Sequence, residues 1–340
     1  MKLKKEFSDF FTAIRIDTET NVLKDKREVL QSDVEEKLPG ILDEHDIHIT
    51  KSDMRMIDQG SYKYNTTIKD TVVDRDVALI IPLDTSKNSD PRKIKGYLLE
   101  GLTIPSRTVT IKEPCVRAAY YDHGEEWLHI DMPLYANDNG IIYLARGKAT
   151  SKEYGWEQAD PDGLNDYLCG KINGNSQLRR IICYMKKWRN NCYSNPISDH
   201  EVPPSIGLTL LACDHFTLQS SNEGEDDLLA LQKTMKAIKD QFIVSRDIDG
   251  NVISANIVRY LPVKPYSDVF QKMKDSSSSY MITFYNRLSS AVDNLTNAIN
   301  VESAHDAGKY VQRVLGSEFV IPPKEAVAAT TYNRREHSFG

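Results

Sequence analysis

Gln59-Gly60-Ser61, followed by Asp74-Arg75-Asp76, holds the residues of this sequence best suited to chemistry. The acids lead into Val77-Ala78-Leu79-Ile80-Ile81, which reads as a strand stopped by Pro82. Side chains alternate along a strand, so Asp74 and Asp76 share a face. Two adjacent carboxylates repel, and one keeps its proton unless a cation joins them. A pair of divalent ions resolves the conflict. Hard oxygen ligands suit Mg²⁺, with Mn²⁺ as the alternative ion, and substrate phosphates complete the shell. Gly60 lets the backbone approach a phosphate closely, and Ser61 adds an N–H and a hydroxyl donor. Taken singly, the pieces also read as a plain turn and a solvated strand end; their conjunction is what points to a site.

A third carboxylate follows. Trp127 to Tyr135 alternates strictly, with Leu128, Ile130, Met132 and Leu134 on one face and His129 and Asp131 on the other. An acid on a buried strand is costly unless paired or bound to metal. A Gly-Ser turn, an Asp-x-Asp strand and a lone Asp on a later strand resemble the DNA polymerase beta-like nucleotidyltransferases. The run His129-Ile130-Asp131-Met132-Pro133-Leu134-Tyr135-Ala136 narrows the resemblance to the cGAS/DncV-like nucleotidyltransferases (CD-NTases) of bacterial anti-phage (CBASS) defence, in their dinucleotide-cyclase branch.

The resemblance implies a bilobal α/β (α+β) fold: a mixed-sheet lobe facing a helical lobe, with the active site in the cleft. It implies that Asp74, Asp76 and Asp131 hold two Mg²⁺ ions, and that Gln59, Gly60, Ser61 and Tyr62 position a donor triphosphate. Tyr184-Met185-Lys186-Lys187-Trp188-Arg189 and Pro203-Pro204-Ser205-Ile206-Gly207 resemble the second-lobe signature, in which Lys186 and Ser205 bind the triphosphate. Lys187 competes for that role if the register slips by one. Arg117, on the strand expected beside Asp131, reads either as a nucleotide contact or as an ion-pair partner.

The elements that must position these residues are legible in outline. Lys4 to Leu42 reads as helical, with Phe7, Phe10, Phe11, Ile14 and Ile16 as an apolar stripe; the resemblance implies one long helix across both lobes. Short strands follow from Asp46 to Tyr135, including Thr108–Ile111 and Cys115–Tyr121, with Asp122-His123-Gly124-Glu125 as a hairpin turn. The boundaries expected are residues 1–155 for the nucleotidyltransferase core lobe with its N-terminal helix, 156–321 for the helical lobe and 322–340 for a flexible tail. In the helical part, Leu178, Ile181, Ile182, Met185 and Trp188 form a core-facing stripe. Gln219 to Asp226 and Asp275 to Ser279 read as loops. Asp247-Ile248-Asp249-Gly250-Asn251 superficially resembles a calcium loop but lacks the closing Glu and reads as a hairpin turn. Asn256 and Asp268 are candidates for contact with a base.

Composition limits the function. The 340 residues carry a net charge of −6, with no basic face or Cys/His insertion for long nucleic acid. No apolar run is long enough to span a bilayer, no secretory segment is recognisable, and the expectation is a cytoplasmic protein. The five cysteines form no Cys-x-x-Cys and argue for structural thiols. The function expected is condensation of nucleoside triphosphates, ATP or GTP or both, into a cyclic nucleotide read by a downstream effector. The alternatives are an enzyme making linear oligonucleotides or tailing RNA, a nucleotide-binding pseudo-enzyme, or an antitoxin-like minimal nucleotidyltransferase. In some operons of this family a ubiquitin-transfer-like enzyme conjugates the cyclase through its C-terminal residue. Here that residue would be Gly340, on a segment that otherwise reads as a mobile terminus.

Overall fold

A computed structural model describes residues 2–16, 21–69 and 72–324. In chain order the first part holds α1 (Lys4–Ile14), α2 (Asn21–Asp43), β1 (Arg55–Gln59), the short α3 (Gly60–Lys63), β2 (Val73–Pro82) and α4 (Pro91–Leu102). Then come β3 (Thr108–Ile111), β4 (Val116–Asp122), β5 (Glu125–Met132), β6 (Leu134–Asp138), β7 (Ile141–Arg146) and β8 (Gly155–Gln158). The helical part opens with α5 (Pro161–Ile172), α6 (Ser176–Cys192) and α7 (Ser205–His215). It continues through β9 (Ser220–Ser221), β10 (Gly224–Glu225), α8 (Asp227–Lys239), β11 (Ile243–Arg246) and β12 (Val252–Asn256). It closes with α9 (Gln271–Ser276), α10 (Ser278–Asn300) and α11 (Ala304–Leu315).

The first eight strands form one mixed sheet. Pro133 splits the expected strand Trp127–Tyr135 in two, since it has no N–H for the ladder. Both halves stay on one edge of β2: β5 pairs in parallel with Val73–Asp76 and β6 with Leu79–Pro82. Leu79 N donates to Pro133 O at 2.9 Å, so the ladder runs through the break. β1 pairs antiparallel along the other edge. The far side of the broken strand is shared by β4 and β7, which meet end to end. At that junction the fully buried Lys95 of α4 donates to Lys112 O (2.6 Å), Glu113 O (2.9 Å) and Gly147 O (2.7 Å).

Alternation sorts the two faces of the sheet. Val77, Leu79, Ile81, Leu128, Ile130, Met132 and Leu134 face a core completed by α2 and α4, while Ala78, Ile80 and Tyr135 lie on the opposite face. That second face carries the acids. The Asp122–Glu125 hairpin turn forms as expected, with positive φ at His123 and Gly124.

The single long N-terminal helix does not form. α1 and α2 are separate, and they serve different cores: Phe7, Phe10 and Ile14 bury among the helices, whereas Leu30, Val34, Leu38 and Leu42 bury against the sheet. Phe7 lies 5.3 Å from Tyr184 and 5.2 Å from Phe319, and Phe10 lies 5.4 Å from Phe319. The α6 stripe is buried as its spacing predicts.

The polar segment Gln219–Asp226 contains the small β9–β10 ribbon, and Asp247–Asn251 is the turn between β11 and β12. Asp275 and Ser276 end α9 rather than forming a loop, and Ser277 caps α10. Asp160 caps α5, with Pro161 in its first turn. α5 is tied to the sheet by three contacts. Arg55 forms a bidentate pair with Asp162 (2.8 and 2.6 Å), Tyr64 Oη donates to Asn165 Oδ1 (2.6 Å), and Asn165 Nδ2 donates to Asp58 O (3.1 Å).

Candidate active site

Two cross-strand rows make the floor of the site. In the first, Gln59, Asp76, Asp131 and Arg117 are register partners across β1, β2, β5 and β4. In the second, Asp74 pairs with His129, which pairs with Ala119. The carboxylates therefore sit on one face, as the period of two predicts. Asp74, His129 and Asp131 each offer a ligand atom, and these atoms lie within 4.8 Å of one another. Asp76 lies outside that group, its Oδ2 turned toward Gly60.

The crowding of acids has electrostatic consequences. Burial, and then the Asp74 and Asp131 carboxylates, push the Asp76 carboxyl up to about 8. Arg117 clasps Asp131 with both arms, Nε to Oδ1 at 2.7 Å and Nη2 to Oδ2 at 2.8 Å. Of the two readings open for Arg117, the structure shows the ion pair. His129 Nδ1 lies 2.7 Å from Glu126 Oε1, and its Nε2 lies 3.1 Å from Asp74 Oδ1. Burial lowers the imidazole's proton affinity, but these two carboxylates outweigh it and hold it above its ordinary value. Two carboxylates and an imidazole converging beside a third carboxylate are a donor set that fits a divalent cation.

Gly60 adopts φ +64°, and a Cβ there would stand 2.0 Å from Asp76 Oδ2. Only glycine allows the turn and the carboxylate to approach so closely. Ser61 Oγ and Thr67 Oγ1 lie 3.0 Å apart. Tyr62 corrects the sequence reading. The Arg75 guanidinium covers its ring at 3.7 Å, and it packs with the α2–α4 core, on the other side of the sheet from the acids. The cleft is faced instead by Tyr135 of β6 and, from the cap of α3, by Tyr64. They line a cavity of about 350 Å³ with Gln59, Gly60 and Asp76, closed from the helical side by Leu164, Ile206 and Leu261.

Lys186 reaches this floor from α6. It is buried and donates to Thr66 O at 3.0 Å, and burial pushes its ammonium down to about 8, partly offset by Asp74 and Asp76. Lys187 points elsewhere and pairs with Glu318. The register across Trp188 is thus the one in which Lys186 faces the acids. Ser205 opens α7, and its Oγ accepts from Arg189. Arg189 was legible as a neighbour of Lys186, since residues three apart share a helix face. Asp268 is no base reader: it accepts from Arg259 N and Phe270 N and pairs with Lys274 at 2.5 Å. Asn256 is an exposed member of the β11–β12 ribbon.

Residues 54–135, which carry Gly60 and all three aspartates, match the family model described as cyclic GMP-AMP synthase DncV-like, nucleotidyltransferase domain. No curated protein matches the chain in sequence. Among solved structures, Vibrio cholerae DncV cyclic AMP-GMP synthase is similar at 16% identity and TM-score 0.67, over 94% of this chain and 97% of that one. The same enzyme with the linear intermediate 5′ pppA(3′,5′)pG gives 16% identity and TM-score 0.68, over 94% and 96%. A DncV mutant with ATP, GTP and 5MTHFGLU2 gives 15% and 0.67, over 94% and 97%. Residues 54–135 thus form a DncV-like nucleotidyltransferase domain, and the fold shared with DncV extends over most of the chain.

Proposed function

We propose that this protein condenses nucleoside triphosphates, ATP and GTP among them, into a cyclic di- or oligonucleotide and releases pyrophosphate. The observation that carries this reading is the row Gln59–Asp76–Asp131–Arg117, met from the helical side by the buried Lys186. In this reading Asp74, Asp76 and Asp131 hold two Mg²⁺ ions, which when bound stabilise phosphate charge and make a ribose hydroxyl more acidic. The hydroxyl oxygen attacks the donor's α-phosphorus in line, and the bond to pyrophosphate breaks. Gly60 and Ser61 keep the turn close to the donor phosphates. Lys186 supplies a point charge, and Ser205 with Arg189 supplies donors at the start of α7. Arg117 fixes the Asp131 carboxylate and keeps Nη1 for an incoming phosphate. Two rounds of this chemistry close the ring.

The family resemblance supports a place in CBASS signalling, with a downstream effector that reads the product. No described helix is long and apolar enough to cross a membrane, which accords with a cytoplasmic enzyme. Incubation with the four ribonucleoside triphosphates and Mg²⁺, followed by mass spectrometry of phosphatase-resistant products, tests the reading. A cyclic product is the expected result. Phosphatase-sensitive linear products alone would favour the oligonucleotide-forming alternative, and no turnover would favour the pseudo-enzyme.

Gly340 lies outside the described residues.

A further inference from the structure

Neither the Asp-x-Asp motif nor the roles assigned above use His129, yet it occupies the centre of the site. We propose that His129 Nε2 is a metal ligand here and that Glu126 positions it, which makes the centre a better host for Mn²⁺ than for Mg²⁺. The proposal rests on the nucleotidyltransferase reading of the site and goes beyond it in naming the ligand and the preferred ion.

Three observations carry it. The first is register: His129 is the direct partner of Asp74 and lies two residues before Asp131, on the same face. The second is convergence. The donor atoms of Asp74, His129 and Asp131 lie within 4.8 Å of one another. Three converging donors, one of them an imidazole, match part of a coordination shell. The third is the tether. The His129 side chain is only 11% exposed, and its Nδ1 is 2.7 Å from Glu126 Oε1. With Nδ1 donating to Glu126, Nε2 lies 3.1 Å from Asp74 Oδ1, where it can exchange its proton for a cation shared with Asp74 and Asp131. Metal-bound histidines almost always give their other N–H to a carboxylate or carbonyl, which fixes the ring and raises its basicity.

The choice of ion follows from ligand softness. Mg²⁺ is hard, favours oxygen ligands and sheds water reluctantly, so an imidazole in its shell gains little. Mn²⁺ tolerates the same carboxylates and stands within the series of ions that accept imidazole nitrogen.

The test uses Mn²⁺ itself as the probe, on the full chain without nucleotide. Pulsed electron paramagnetic resonance should show coupling from a directly bound ¹⁴N in the wild type, and His129→Gln should abolish it. Glu126→Gln should keep the coupling but weaken Mn²⁺ binding by about tenfold or more, read from the free-ion signal. The ratio of Mn²⁺ to Mg²⁺ affinity should fall in His129→Gln. Absence of ¹⁴N coupling in the wild type, or its persistence in His129→Gln, overturns the ligand assignment. Unchanged Mn²⁺ affinity in Glu126→Gln overturns the positioning role. Nucleotide turnover in Mg²⁺ is read separately, so loss of the enzymatic reading and loss of this one are distinguishable.

Discussion

Asp76 of β2 and Asp131 of β5 face each other as register partners on parallel strands, and each is restrained by a different neighbour. Gly60 makes room for the first, and Arg117 grips the second. Their proximity is useful only if a cation is to be held between them. Asp76→Asn should therefore abolish nucleotide condensation while melting temperature in metal-free buffer holds or rises. Wild-type turnover in that variant would disprove the assignment of Asp76 to the reaction.

Gly60→Ala tests the approach of turn to carboxylate. A methyl group 2.0 Å from Asp76 Oδ2 cannot be accommodated without movement, and the positive φ adds about 1–2 kcal/mol of strain. Turnover should fall at least as far as stability does. In an Asp76→Ala background the steric part should vanish, so thermal melting of the four cycle members should reveal strong non-additivity. Additive losses would show that the two residues do not touch in solution.

The two adjacent lysines of α6 should behave differently. Lys186→Met should raise the KM for nucleoside triphosphate by more than tenfold, whereas Lys187→Met should alter stability through the lost Glu318 pair. A pH profile separates charge from packing. Burial brings the Lys186 ammonium down to about 8, so its charge is lost as pH rises through that value. The wild-type KM should climb above pH 8, and that of Lys186→Met should stay flat. For folding, the sign is opposite to that of an ordinary paired lysine. The unfolded chain binds the extra proton between about pH 8 and the ordinary lysine value, so this group favours the fold more as pH rises across that window.

Lys95 sits where β4 and β7 meet end to end and Gly147 N donates to Glu113 O (3.0 Å); its ammonium donates to that carbonyl and to those of Lys112 and Gly147. Lys95→Met should cost about 2–4 kcal/mol by leaving buried acceptors unpaired. Melting temperature should fall by roughly 5–10 °C. A change of under 1 °C would mean that water satisfies those carbonyls equally well.

Much of the site was legible because strands impose a period of two. That rule alone puts Asp74, Asp76, His129 and Asp131 on one face and Leu128, Ile130 and Met132 on the other. The hairpin turn alone would set Arg117 opposite Ile130; a register shift at Tyr120–Tyr121, which the sequence does not announce, brings it opposite Asp131. What escaped the sequence depended on rotation or on distant partners. Each residue on a helical turn swings by about 100°, so nothing local tells whether Tyr62 or Tyr64 of α3 and its cap faces the cleft. Asp268 looked available until Lys274 and two backbone amides claimed it. The break between α1 and α2 was hidden because both segments are amphipathic, and only their different partners show that they belong to different cores.

The packing of α1 also sets an order of events during synthesis. The sheet, from β1 to β8, has all its strands once Gln158 has emerged from the ribosome. The helical core does not, because Phe7 and Phe10 close on Tyr184 and Phe319, and Phe319 follows the last described helix. Through most of translation α1 thus carries an apolar stripe with no finished surface to receive it. The cleft between Asp76 and Leu261, which draws on both cores, is completed only when that late turn folds back onto the earliest helix.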